Sequence, residues 1–236
     1  MRAGRRVLLA RAARAACAAV LPWPALAATE GQTAPAQRRR VDTARLPAPG
    51  SYTLARVMTA TDGRVLSSQG RAQRLHAVLR GRLSVLSFMY TYCRDPEGCP
   101  LAWAAMEGLH SALLREPDLA AASQLVSLSF DPTNDTPQQM RLYGGDRIGD
   151  PRVTWRFLTT ASVSALMPLL RGFGQDVTVE VDANGRATRT LNHMLKLFLI
   201  DGRLQVREIY SVATLDAQAL LNDLRTLRLE QRASRP

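Results

Sequence analysis

The sequence predicts an α/β domain with a mixed central sheet, flanked by helices and entered through an N-terminal β-hairpin. Three observations carry this expectation. The apolar runs Leu83 to Met89 and Gln124 to Phe130 are nearly continuous, as strands buried on both faces are. A stretch with helical spacing follows each of them, opened by a proline or a capping residue. The chain then closes with two apolar runs around Asp201-Gly202 and a leucine-faced helix. At 236 residues and 46% hydrophobic content it is long enough for one domain with a sizeable core.

Taken in order, Tyr52 to Val57 and Arg64 to Ser67 flank the turn residues Ala60-Thr61-Asp62-Gly63 and read as the entrance hairpin. Leu83 to Met89 is the central strand. Pro100 suits a first helical turn, where its missing N–H has no partner to lose, and Leu101 to Leu114 carries apolar residues on several faces, as a buried helix does. Gln124 to Phe130 is the second buried strand, and Asp135-Thr136-Pro137 opens a helix towards Gly144. Thr154 to Leu158 reads as a short strand, Ala161 to Phe173 as a helix, and Val177 to Val181 as a strand before the turn Ala183-Asn184-Gly185. Leu195 to Ile200 and Leu204 to Tyr210 are joined by Asp201-Gly202, read as a two-residue hairpin loop. Thr214 is placed to cap a last helix with Leu220, Leu221, Leu224 and Leu227 on one face.

Residues 1–27 join a basic start to an apolar run from Ala15 to Ala27 and the small-residue exit Ala25-Leu26-Ala27-Ala28, the pattern of a secretory signal peptide cut after Ala27. Arg5-Arg6-Val7-Leu8-Leu9 also has the look of a twin-arginine leader. The apolar run falls well short of the roughly 20 residues of a spanning helix. Residues 28–50, punctuated by proline and glycine around Arg38-Arg39-Arg40, read as a flexible tether. Residues 51–230 then form the domain, and 231–236 a tail. The expected location is exported, periplasmic or on the outer face of the membrane, with transient membrane association through the leader or tether.

The formal charge of +11 suggests nucleic acid until the leader is set aside. Its five arginines removed, 26 basic residues face 20 acidic ones, and the remaining arginines are scattered rather than striped with aromatics. No nucleic-acid partner is expected.

Cys17 leaves with the leader, so the mature chain holds Cys93 and Cys99. In an oxidising compartment such a pair tends towards a disulfide, and the turn-forming spacer Arg94-Asp95-Pro96-Glu97-Gly98 lets the two approach. Cys93 stands where a strand gives out and Cys99 directly before Pro100, at the N-cap of a helix whose free N–H groups favour a thiolate. Both sulfurs are expected to be reactive and partly exposed, with Asp95 and Glu97 opposing their ionisation if close. A cysteine pair at the end of a buried strand, before a helix, is the thioredoxin-like arrangement. Two thiolates also select soft metal ions, for which a third ligand is wanted. Of the three histidines, His76 and His110 read as surface or core residues; His193, just before Leu195 to Ile200, reads equally as a ligand or as an ordinary strand-entrance histidine.

Five motifs in order over about residues 52 to 225 resemble the Sco/SenC copper-chaperone family: Phe88-Met89-Tyr90-Thr91-Tyr92-Cys93 with Cys99-Pro100; Ser129-Phe130-Asp131-Pro132 with Asp135-Thr136-Pro137; Trp155-Arg156-Phe157-Leu158-Thr159; Asn192-His193; and Phe198-Leu199-Ile200-Asp201-Gly202. The resemblance implies a thioredoxin-like, exported protein that binds one copper, as Cu(I) or Cu(II), through Cys93, Cys99 and His193, with Asp131 nearby. It implies delivery to a respiratory oxidase subunit or another copper protein in cytochrome c oxidase assembly. The chain departs from the family pattern in placing five residues between its cysteines where three are usual. Two other readings stand beside it: a thiol-disulfide oxidoreductase using the redox pair Cys93 and Cys99, and a binding module in which a Cys93–Cys99 disulfide only staples the loop.

Overall fold

The computed structural model describes residues 45–93, 95 and 98–234. The expected leader, Cys17, most of the tether and the end of the tail lie outside the described residues.

The strands in chain order are β1 (Met58–Thr59), β2 (Arg64–Ser67), β3 (Ala72–Arg74), β4 (Leu83–Met89), β5 (Ser123–Ser129), β6 (Trp155–Thr159), β7 (Val177–Val181), β8 (Ala187–His193), β9 (Leu197–Ile200) and β10 (Gln205–Tyr210). The helices are α1 (Leu75–Leu79), α2 (Cys99–Leu113), α3 (Pro117–Ala122), α4 (Pro137–Gly144), α5 (Val163–Gly172) and α6 (Ala217–Ala233). Eight strands form one mixed sheet in the order β1-β10-β9-β4-β5-β6-β2-β3, and β7 and β8 make a separate two-stranded ribbon.

The two apolar runs form the centre of this sheet. Every residue of β4 and of β5 is buried, and the two pair in parallel from Leu83 with Ser123 to Met89 with Ser129. The connection between them carries α2 and α3, the helical crossover that parallel strands require. Because alternate side chains leave opposite faces of a strand, β4 feeds two aromatic clusters. Phe88 meets Phe173 and Phe198 edge to face, with centroids 5.5 and 6.0 Å away. On the other face Ser87 and Met89 border a small void beneath α2, with Cys99, Met106, Trp103 and Trp155; Trp103 stacks on Trp155 at 5.0 Å. With helices packed on the sheet and a central strand β4 that ends at Met89, four residues before Cys93, the fold is thioredoxin-like, as expected.

Four local expectations are corrected. An entrance hairpin exists, but it is β2 with β3; the segment before it instead lies along β10, where Val57 N–H donates to Val206 and Ala60 N–H to Leu204, both at 2.8 Å. Buried Arg207 fixes that segment by donating to the carbonyls of Leu54 and Ala55 at 2.7 and 3.1 Å. The connection from β9 to β10 is longer than two residues: Leu204 N–H returns to the Asp201 carbonyl and Leu204 takes φ 67°, the left-handed residue that ends a three-residue hairpin loop. The last helix is capped by Asp216, whose carboxylate accepts from Gln218 and Ala219 N–H at 2.8 and 3.0 Å, while Thr214 serves the preceding turn through Ser211. Finally, His193 ends β8 rather than introducing β9, and it pairs with Val177 of β7.

The aromatic packing behind β4 gives a stability prediction. Phe198 is fully buried between Phe88 and Phe173, so Phe198→Ala should lower the urea-unfolding free energy by about 3–5 kcal/mol. Exposed Val181→Ala should stay within about 0.5 kcal/mol.

Candidate functional site

The chain leaves the sheet at Met89 and turns at once. Cys93 N–H reaches back to the Tyr90 carbonyl at 3.4 Å, and Gly98 N–H to that of Asp95 at 3.0 Å. Cys99 is the first residue of α2, with Gly98 as its N-cap and Pro100 in the first turn. Cys99 is buried rather than partly exposed, because it opens the inner face of α2 that Ala102, Met106 and Leu109 continue; Cys93 is half-buried. The two sulfurs carry no disulfide.

The pair is electrostatically asymmetric. The Cys99 thiol donates to the Cys93 sulfur, which also accepts from the Tyr90 hydroxyl and from the backbone N–H groups of Cys99 and Asp95. Foremost the Cys99 hydrogen bond, and with it the others, outweigh burial and draw the Cys93 pKa from 9.0 down to about 5. Cys99 shifts the other way, first because its proton is engaged by Cys93 and then because it is buried. The pair therefore holds one proton at neutral pH, as coupled sites do. Asp95 acts on the thiolate through its backbone N–H, which favours ionisation, a contribution apart from the opposing carboxylate charge expected of it; Glu97 lies outside the described residues.

The loop is pinned from the β5–α4 connection. Asp135, fully buried, accepts from Thr91 N–H at 3.1 Å, from the Thr91 hydroxyl at 2.5 Å and from the Ser129 hydroxyl at 2.6 Å. Burial raises its pKa despite these bonds. Asp131 accepts from the Tyr92 hydroxyl and, at 2.7 Å, from the Asn134 amide. Asp131 therefore acts on the loop through Tyr92. Asp135 was legible only as part of a helix-opening triplet, and Tyr90 only as a residue of the strand-end motif; their contacts with Thr91 and Cys93 had no periodic signal.

His193 lies beside this group. Its ring packs 4.5 Å from Phe130 and 6.0 Å from Tyr90, the residue whose hydroxyl reaches Cys93. Nδ1 lies 3.1 Å from the Leu191 carbonyl; a carbonyl only accepts, so Nδ1 carries the hydrogen and Nε2 the lone pair. Among the described residues no three His, Cys, Asp or Glu side chains stand close enough to hold a metal ion. The structure thus joins Cys93 to Cys99 and sets His193 one aromatic residue away. His76 is occupied by the Ala60 carbonyl at 2.7 Å and by Asp62, and His110 is buried within α2, 3.7 Å from Asp150.

A pH dependence follows. Because the folded Cys93 pKa lies below the unfolded value, its ionisation contributes stability that is complete above the ordinary thiol range and is lost as pH falls through about 5. Cys93 alkylation by iodoacetamide should accordingly titrate with a midpoint near 5, with Cys99 unreactive at neutral pH. Cys99→Ala, which deletes the main donor, should move that midpoint upward; an unmoved midpoint would contradict the assignment.

The SCO1/SenC family model matches residues 61–228. Among solved structures, copper-bound ScoI of Arabidopsis thaliana is 16% identical, with 73% of this chain and 99% of that chain covered at a TM-score of 0.59. A SCO1/SenC family lipoprotein of Bacillus anthracis is 23% identical, covering 72% and 95% at 0.57. BsSco, a member of the Sco family of cytochrome c oxidase assembly proteins in which a disulfide switch has been identified, is 20% identical, covering 74% and 97% at 0.55. No curated protein sequence matches the chain. The structural likenesses establish the fold, and the family model, which takes in the cysteine pair, the pinning aspartates and His193, establishes the kinship: the chain belongs to the SCO1/SenC family.

Proposed function

We propose that this protein is an exported copper chaperone that holds one copper ion through Cys93, Cys99 and His193 and passes it to a copper-accepting subunit of a respiratory oxidase. The observation that carries this reading is the Cys93 thiolate, preformed by the Cys99 thiol at the end of a buried strand. Solved family members hold copper, and one belongs to a group that assembles cytochrome c oxidase. Two thiolates suit Cu(I), and an imidazole suits Cu(II) as well. His193 is the proposed third ligand because its Nε2 lone pair is uncommitted by the Leu191 contact and its ring already touches Tyr90. On loading, the ion displaces the Cys99 and Tyr90 hydrogens from the Cys93 sulfur, and the bond to Cys99 expels the proton of the pair. Transfer proceeds by exchange of these sulfurs for those of the acceptor.

Export rests on the leader pattern of residues 1–27, with residues 28–50 as tether and 51–230 as the working domain. A lipoprotein among the solved relatives supports attachment outside the cytoplasm. No helix among the described residues is long and apolar enough to cross a membrane.

Titrating Cu(I) into reduced residues 28–236 against a mild competitor should give one bound ion and release about one proton per ion at pH 7. Cys93→Ser and Cys99→Ser should abolish retention, and His193→Ala should weaken it by about tenfold or more. Unaltered binding in His193→Ala would remove that residue from the site, and copper uptake without proton release would remove the shared proton.

The low Cys93 pKa also favours a second reading, thiol-disulfide exchange with Cys99 as the resolving thiol. In that case Cys99→Ser should trap mixed disulfides with a partner, and exchange with glutathione should be rapid in the absence of copper.

A further inference from the structure

A cleft of about 630 Å³ lies at the far end of the sheet from the cysteines. Arg82 directly precedes β4, and the turn at Asp201 and Gly202 sits beside it because Ile200 of β9 pairs with Ser84. Cys93 follows the opposite end of β4, about 20 Å away at the rise of a strand.

Five arginines line this cleft: Arg56, Arg82, Arg203, Arg207 and Arg228. Its two carboxylates, Asp201 and Glu230, are both engaged by Arg207, at 3.2 and 2.9 Å. Arg82 is held by the Thr154 hydroxyl at 2.9 Å and the Ser123 carbonyl at 3.3 Å, neither of which neutralises it. Arg56, Arg203 and Arg228 form no salt bridge among the described residues. Arg228 Nε is shielded from solvent and has no acceptor among those residues. A buried N–H without an acceptor is unfavourable, so this guanidinium retains hydrogen-bonding capacity that the described residues do not use. Gly81 and Gly202 also line the cleft; they meet backbone to backbone, Gly81 N–H on the Gly202 carbonyl at 3.0 Å, so that no side chain fills this part of it. The C-terminal end of α6 is also close, and its dipole opposes an anion, but that effect fades within a turn and is set against a surplus of three guanidinium groups.

We propose that this cleft binds a phosphate-class oxyanion through Arg203 and Arg228, with Arg56 and Arg82 supplying charge around it. Guanidinium groups match the paired oxygens of a phosphate. The ligand's source is either soluble phosphate or the headgroup of an anionic phospholipid. Gly50 N–H donates to the Thr226 hydroxyl at 3.0 Å, so the segment entering the domain lies against α6, the helix whose Leu227, Arg228 and Glu230 line the cleft. A headgroup bound there would hold the domain with Cys93 directed away from the membrane.

The test uses the full chain, Arg203→Ser, whose side chain is exposed, and the double variant Arg203→Ser/Arg228→Gln, with near-ultraviolet circular dichroism as the folding check. Inorganic phosphate is titrated by calorimetry, and vesicles with and without phosphatidylglycerol are co-sedimented. Saturable phosphate binding that falls by about tenfold or more in the folded variants supports the site with a soluble ligand. Phosphatidylglycerol-dependent sedimentation that falls in the same way supports it with a headgroup. Absence of saturable binding of both probes, or binding that Arg203→Ser leaves unaltered, overturns it.

Discussion

The candidate site depends on one hydrogen bond, from the Cys99 thiol to the Cys93 sulfur. It makes one sulfur a thiolate and keeps the other protonated, so the pair is a base and an acid in contact rather than two equivalent thiols. The helix start adds the Cys99 N–H, one of the groups that no helix can satisfy internally, and the loop adds the Asp95 N–H. Burial alone would suppress ionisation of both sulfurs, and at Cys99 it adds to the hydrogen bond that engages its proton. The donors converging on Cys93 outweigh it there.

The fold places these donors through elements far from the sulfurs. β4 delivers Cys93 from a strand clamped on both faces, and the packing of Trp103 on Trp155 fixes the start of α2, and with it Cys99. Asp135 holds Thr91, and Asp131 holds Tyr92, so the residues before Cys93 are tied to the end of β5. Only the stretch between the cysteines is left to vary in length, and an added residue or two there costs little closure entropy. That is why a five-residue spacer is compatible with sulfurs in contact.

Much of this was legible in the chain. The apolar runs of β4 and β5 are long and uninterrupted, so burial on both faces could be read directly, and Cys99-Pro100 marked a helix start. Less visible were features decided by tertiary contacts. The segment before β1 looked like half of a hairpin because its turn residues are good ones, but pairing with β10 and the Arg207 clamp prevail. β8 was missed because Ala187–His193 is mostly polar and pairs only with a ribbon partner whose own valines are largely exposed. His193 was therefore read as the entrance to the next strand rather than as the end of β8, although that strand-entrance position already suggested that it could face the cysteine loop. The tautomer of His193 and the asymmetry of the sulfurs have no sequence signal at all, since both arise from hydrogen bonds across the fold.

The molecule thus has two chemically distinct ends, a soft, electron-rich sulfur pair and an arginine-rich cleft, joined by the rigid strand β4. X-ray absorption at the copper edge of the Cu(I)-loaded protein reports on the sulfur pair. The expected result is two sulfur neighbours and one imidazole nitrogen about a single copper, with both sulfurs lost together in a Cys93→Ser, Cys99→Ser variant. A copper shell with one sulfur or none in the wild-type protein would contradict it.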